Sequence, residues 1–303
     1  MAARFQPGFI WLIPACVLLN FFFEVFITLL RLSRNVNRFA AISTLKVVLE
    51  IGIAVLLVKL FSESWYSRAL GYFISGIIVA FFFFHYVIKQ KYLTTVISAS
   101  IIKKELLFGM AGLLLQTSIF FNSTSDKFFV MAWFGKDQVG LYSVAATFAA
   151  VQYIISSSLI QYLQPVLFKK YAENAGWKEL RSIYFKFILA MVCVWALVVI
   201  GSYIAYNFFL KESYVNSIHY FFLLSIASLI WPITNMFLQP IIFLKRKKTI
   251  AYISIATILI SSSINFVACK YFDVVLLAIG QIVINILVLA ITLFFNKKHG
   301  DFR

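Results

Sequence analysis

The chain has 303 residues, 62% of them hydrophobic and only 13% charged, about half the charge of an ordinary soluble domain. That balance excludes a water-soluble globular protein. The net charge of +16 does not point to nucleic acid, because the basic residues sit in short gaps flanking apolar stretches, where membrane topology places them.

Nine apolar stretches follow one another, over residues 9–30, 40–60, 69–88, 106–133, 141–167, 183–206, 218–243, 249–269 and 275–295. Each supplies the ~20 residues that a helix needs to cross a bilayer. Helices are required because lipid offers backbone groups no partner outside their own segment. Runs such as Phe81-Phe82-Phe83-Phe84 do not alternate as barrel strands do. The expectation is an all-α integral membrane protein with about nine transmembrane helices. The first stretch carries Glu24 and is longer than the apolar part of a secretory leader, so it reads as a span.

Lys and Arg crowd every second gap. Arg31, Arg34, Arg38 and Lys46 attend the first, Lys89 to Lys104 the third, Lys169 to Lys186 the fifth, Lys245 to Lys248 the seventh, and Lys297 to Arg303 the end. These are 20 of the 27 basic residues. The excess marks the cytoplasmic side, so the C-terminus is expected there and the N-terminus outside. Residues 89–104 divide the chain into 1–98, with three helices, and 99–303, with six.

An internal echo runs through these spans. Asn20, Glu24 and Arg31 recur in spacing as Asn235, Gln239 and Arg246, and the spans that follow end in Lys59-Leu60-Phe61 and Lys270-Tyr271-Phe272. Both sets run in the same direction, as two lobes repeated about an axis along the membrane normal would.

Polar residues inside spans are costly to bury, so they carry the clues to function. Asn20, Glu24, Thr28 and Arg31 share one helix face, as do Tyr153, Ser157, Gln161 and Gln164. Asn235 and Gln239 pair on the seventh span, and Ser254, Thr257, Ser261 and Asn265 line the eighth, where hydrogen bonding between helices is the expectation. Glu24 lies about two turns inside the membrane. Two roles stay open for it: acceptor of a coupling proton, or ion-pair partner of a basic residue on a neighbouring helix. Glu50 is a second carboxylate near mid-span and should face protein or water. Asp126-Lys127 follows the polar run 122–125; taken alone, it reads as a helix end reaching outer water. Cys16, Cys193 and Cys269 lie within spans without ligand spacing, and His85, His219 and His299 are scattered, so neither metal nor cofactor is expected.

Residues 105–173 carry a resemblance. Ser125-Asp126-Lys127-Phe128-Phe129-Val130 is followed by Gly135, then by Val139-Gly140-Leu141-Tyr142-Ser143. Gln161, Gln164-Pro165-Val166-Leu167-Phe168 and Tyr171-Ala172-Glu173 come after. This run resembles the Wzx-type polysaccharide flippases of the multidrug/oligosaccharidyl-lipid/polysaccharide exporter superfamily, where an acidic–basic pair near the outer end of the seventh helix precedes such a turn. The resemblance implies a two-lobed exporter fold with an incomplete first lobe, this chain supplying helices four to twelve. It implies translocation of an undecaprenyl-pyrophosphate-linked oligosaccharide across the bacterial inner membrane, for O-antigen or capsular polysaccharide, with a polymerase and a chain-length regulator as partners beside membrane lipid. Arg31, Arg34 and Lys127 are then expected to line the crevice. Glu24 and Asp126 would couple an ion or orient the basic side chains, and Gln161 and Gln164 would meet sugar hydroxyls. A drug or ion antiporter of the same superfamily and an inactive flippase remnant stay open. A membrane glycosyltransferase or polymerase ranks low, because external gaps reach only about a dozen residues and the chain has 11 acids.

Overall fold

The structure, a computed structural model, describes residues 7–33, 35–61, 64–92, 98–173, 175–208, 210 and 212–298. Among them every regular element is a helix: α1 (Pro7–Leu32), α2 (Val36–Phe61), α3 (Ser64–Lys89), α4 (Ala99–Ala172), α5 (Trp177–Phe208), the short α6 (Glu212–Val215), α7 (Ile218–Phe243), α8 (Lys247–Tyr271) and α9 (Val274–Lys298). Eight of these are long and apolar enough to cross a membrane.

One of the eight crosses twice. The 74 residues of α4 would extend ~110 Å as a straight rod, more than three times a bilayer core of ~30 Å. At Gly135 the backbone takes φ 81° and ψ −175°, a region that essentially only glycine occupies. The Tyr142 hydroxyl lies 2.7 Å from Oδ2 of Asp126, although the intervening residues would span ~24 Å along a helix. The chain therefore reverses at Gly135, and α4 is a hairpin with a front arm (99–134) and a rear arm (136–172). That reversal restores the nine crossings expected from the sequence.

The chain forms two compact units, residues 1–98 and 99–303. In the first, α2 packs along α3, and α1 lies mainly against α3. Its core gathers Phe26, Leu30, Val79, Phe83 and Val87. In the second, the α4 hairpin packs on α7 and α8, α9 lies against α7 and α8, and α5 covers α4 and α7.

The triplets α1–α3 and α7–α9 pack in the same order, the first helix of each touching the third more than the second. Each also closes around a glycine. A Cβ on Gly71 would sit 2.9 Å from the carbonyl oxygen of Glu50 in α2, and one on Gly280 2.9 Å from Cγ2 of Ile264 in α8. Large apolar side chains face outward as well as inward, and polar ones are buried among the helices. Trp11, Phe81, Tyr162 and Leu197 are exposed, while Ser254, Thr257, Ser261 and Asn265 are wholly buried.

Candidate functional site

Asp126 does not reach outer water. It is 4% exposed, and its carboxylate accepts the Tyr142 hydroxyl at 2.7 Å and the Lys127 backbone N–H at 2.8 Å. The cause is the turn at Gly135, which lays the rear arm of α4 back along the front arm and brings the buried Tyr142 over the carboxylate. Lys127 itself is half-buried.

Amides extend from this point in two directions. Asn122, one turn before Asp126, donates to Oδ1 of Asn285 on α9 at 2.9 Å, and Asn285 donates to the carbonyl of Ala227 on α7 at 3.1 Å. Ser125 accepts from Nδ2 of Asn265 on α8 at 3.1 Å, whose Oδ1 accepts from Gln281 on α9 at 3.2 Å. Four helices are thus joined through side chains that lipid would not solvate. Ser254 and Thr257, higher on the same α8 stripe, instead bond the carbonyls of Ile250 and Ile253 in their own helix.

A cavity of about 260 Å³ opens among these groups, with Asn122, Asp126, Tyr153, Trp231, Gln281 and Asn285 on its wall. Oδ1 of Asn122 is buried and has no hydrogen-bond partner among the described residues. A buried acceptor, a carboxylate and two aromatic faces suit a ligand that joins hydrogen-bond donors or positive charge to an apolar body.

Gln281 and Asn285 escaped the sequence reading. Their four-residue spacing in an apolar span was the available signal. The same applies to Gln152, wholly buried and donating to the Met191 carbonyl of α5 at 3.2 Å.

The other expected site residues fall in different places. Gln164 donates to Oε1 of Gln239 at 3.0 Å, joining the polar stripes of the α4 rear arm and α7, whereas Gln161 is exposed one turn earlier. Arg31 is half-buried, its Nε donating to the Ile27 carbonyl at 3.4 Å and its guanidinium 5.8 Å from the Phe39 ring. Arg34 lies outside the described residues. Glu24 is exposed on α1.

Lys46, expected among the cytoplasmic charges, is 7% exposed inside the first unit. It donates to Oδ1 of Asn20 at 3.1 Å, and Glu50 and Glu24 act on it electrostatically, Glu50 more strongly. A basic residue on a neighbouring helix is therefore within electrostatic range of Glu24. Gly71 lets α3 approach α2 closely at Glu50, one turn beyond Lys46.

No protein-family model matches the chain, and no curated protein matches it in sequence. Its likeness is to solved structures of transporters. A MATE structure in the bent conformation superposes with a TM-score of 0.75 at 16% identity, covering 95% of this chain and 67% of that one. MATE in complex with MaL6 gives 0.74 at 16% identity, covering 92% and 66%. An outward-facing multidrug resistance MATE family transporter of the MOP superfamily gives 0.68 at 14% identity, covering 91% and 65%. At such identities the likeness shows the fold alone, the all-α fold of those structures. The chain spans about two thirds of the length of these structures.

Proposed function

We propose that the chain belongs to an exporter that carries a lipid-linked oligosaccharide across the bacterial inner membrane by alternating access. The observation that carries the translocation part is the likeness to MATE transporters, with a TM-score of 0.75 over 95% of the chain. The glycan part is supported by the flippase-like run between Ser125 and Glu173. A pyrophosphate-linked head cannot enter lipid bare, because charge in a low-dielectric slab is prohibitively costly. Basic residues along a wet path lower that barrier, and in the second unit Lys127 is the residue we assign to it. Asp126 is our coupling acid, since it is buried on the wall of a cavity whereas Glu24 is exposed. Gln161 is left for sugar hydroxyls, as the Gln164 amide is already engaged by Gln239. The partners that fit this reading are a polymerase and a chain-length regulator.

A second reading is favoured by one observation. Asp126 shares the wall of one cavity with Trp231 and Tyr153, and an aromatic drug cation suits such a site as well as a sugar does. One strain separates the two: a host lacking its own repeat-unit flippase, expressing this protein with the matching glycan. Restored surface polysaccharide with unchanged ethidium accumulation is expected. Ethidium efflux without polysaccharide would overturn the flippase in favour of the drug antiporter.

A further inference from the structure

The Lys46 ammonium in the first unit is surrounded by groups that each favour a cation. Oδ1 of Asn20 accepts its hydrogen bond at 3.1 Å. The rings of Phe23 and Tyr72 have their centroids 3.9 and 4.9 Å from Nζ, both within cation–π range. Glu50, one turn further along α2, and the exposed Glu24 on α1 add negative charge from beyond ion-pair distance. All three helices of the unit contribute. Lysines in membrane helices ordinarily extend toward the interface. Lys46 lies ten residues past Val36, the start of α2, or ~15 Å along the helix, and is held inward at 7% exposure. The geometry is built in: Gly71 lets α3 touch α2 at Glu50 and so sets Tyr72 beside the ammonium. Next to this cage is a cavity of about 340 Å³ that shares Asn20 and Tyr72 as walls.

We propose that this cage is a binding site for a monovalent cation whose resident occupant is the Lys46 ammonium. The first unit then carries a tethered cation and takes up no free one while Lys46 is in place. Without that side chain, the cage admits sodium or a short alkylammonium from the neighbouring cavity. A lysine that only bridges helices needs no more than the Asn20 carbonyl. Two aromatic faces select for the charge itself, and the field of Glu50 adds to them from beyond ion-pair distance. The inference does not depend on what the protein transports.

The test is thermal unfolding of the full chain in detergent at fixed ionic strength. In choline chloride, Lys46→Ala should melt below wild type. Replacing choline with n-propylammonium or sodium should raise its Tm saturably by about 5 °C, a shift typical of ligand near saturation, and leave wild type unmoved. The rise should vanish in Lys46→Ala/Glu50→Gln. Absence of a saturable rise with both cations overturns the proposal, as does an equal rise in wild type or one that survives the Glu50 change. Where Lys46→Ala gives no folded protein, Lys46→Met decides. It should melt below wild type, and Lys46→Met/Glu50→Gln, which removes the uncompensated carboxylate, should recover part of the loss. No recovery would mean that Lys46 serves as a neutral spacer.

Discussion

The Tyr142 hydroxyl donates to the Asp126 carboxylate across 2.7 Å, and the two residues stand on opposite arms of the α4 hairpin. The bond fastens the arms together and fixes the acid that lines the cavity of the second unit. Tyr142→Phe keeps the ring and removes the donor, leaving a buried carboxylate that has lost its side-chain partner and keeps the Lys127 N–H. An unsatisfied buried acceptor costs about 1–3 kcal/mol. A fall in Tm is expected, readable by thermal unfolding in detergent. An unchanged Tm would mean that water replaces the hydroxyl.

Asp126→Asn separates structure from function. The amide keeps its oxygen for the Lys127 N–H and donates its NH2 to the Tyr142 hydroxyl, which can accept, and the charge is lost. Stability should stay near wild type while transport falls at least tenfold, as expected for a lost coupling acid. Wild-type transport by a well-folded Asp126→Asn protein would take coupling away from this residue.

Gly135 makes the hairpin possible, and its backbone rather than its surroundings demands glycine. A Cβ there would meet nothing within 4 Å, yet φ is 81°. Gly135→Ala should therefore destabilise the protein through strain alone, by about 1–3 kcal/mol. Equal melting of Gly135→Ala and wild type would show that the turn is not held at this residue.

The spans were legible because a crossing helix needs some twenty apolar residues, and no other fold writes that pattern nine times. The site was legible only in part. Asp126 looked solvent-facing because what covers it, Tyr142, belongs to the next span, and span counting gives no register between the two. Lys46 stood a few residues inside an apolar run and read as an interfacial charge. Its burial depends on α1 and α3, which local sequence does not reveal. The four-residue steps from Asn20 to Glu24 and from Lys46 to Glu50 were the visible trace, each placing two polar groups on one helix face. What they could not supply was the register between helices.

The amide bridge between Asn122 and Asn285, 2.9 Å long, joins the front arm of α4 to α9. Interhelical hydrogen bonds in membranes couple by ~0.6 kcal/mol on average and rarely by more than ~1.7. A double-mutant cycle with Asn122→Ala and Asn285→Ala should return a coupling in that range. The Asn285→Ala single variant should be the costlier, because Asn285 also holds the Ala227 carbonyl. A coupling of zero would mean that the two amides find substitute partners independently.

Lys127 and Lys136 flank the same turn and make a matched pair for the translocation reading. Lys127 is half-buried on the front arm beside cavity-lining Asp126, while Lys136 is exposed immediately after Gly135. If Lys127 contacts the anionic head of the substrate, Lys127→Ala should reduce export several-fold more than Lys136→Ala, since an exposed charge at a helix turn contributes little. Equal losses would place Lys127 off the substrate path. The same turn tests topology. Single-cysteine reporters replacing Lys136 and Lys247 should be labelled from opposite sides of the membrane, because an odd number of crossings separates them: the rear arm of α4, α5 and α7. Labelling of both from one side would contradict that crossing count, and with it the assignment of the basic gaps to the cytoplasm.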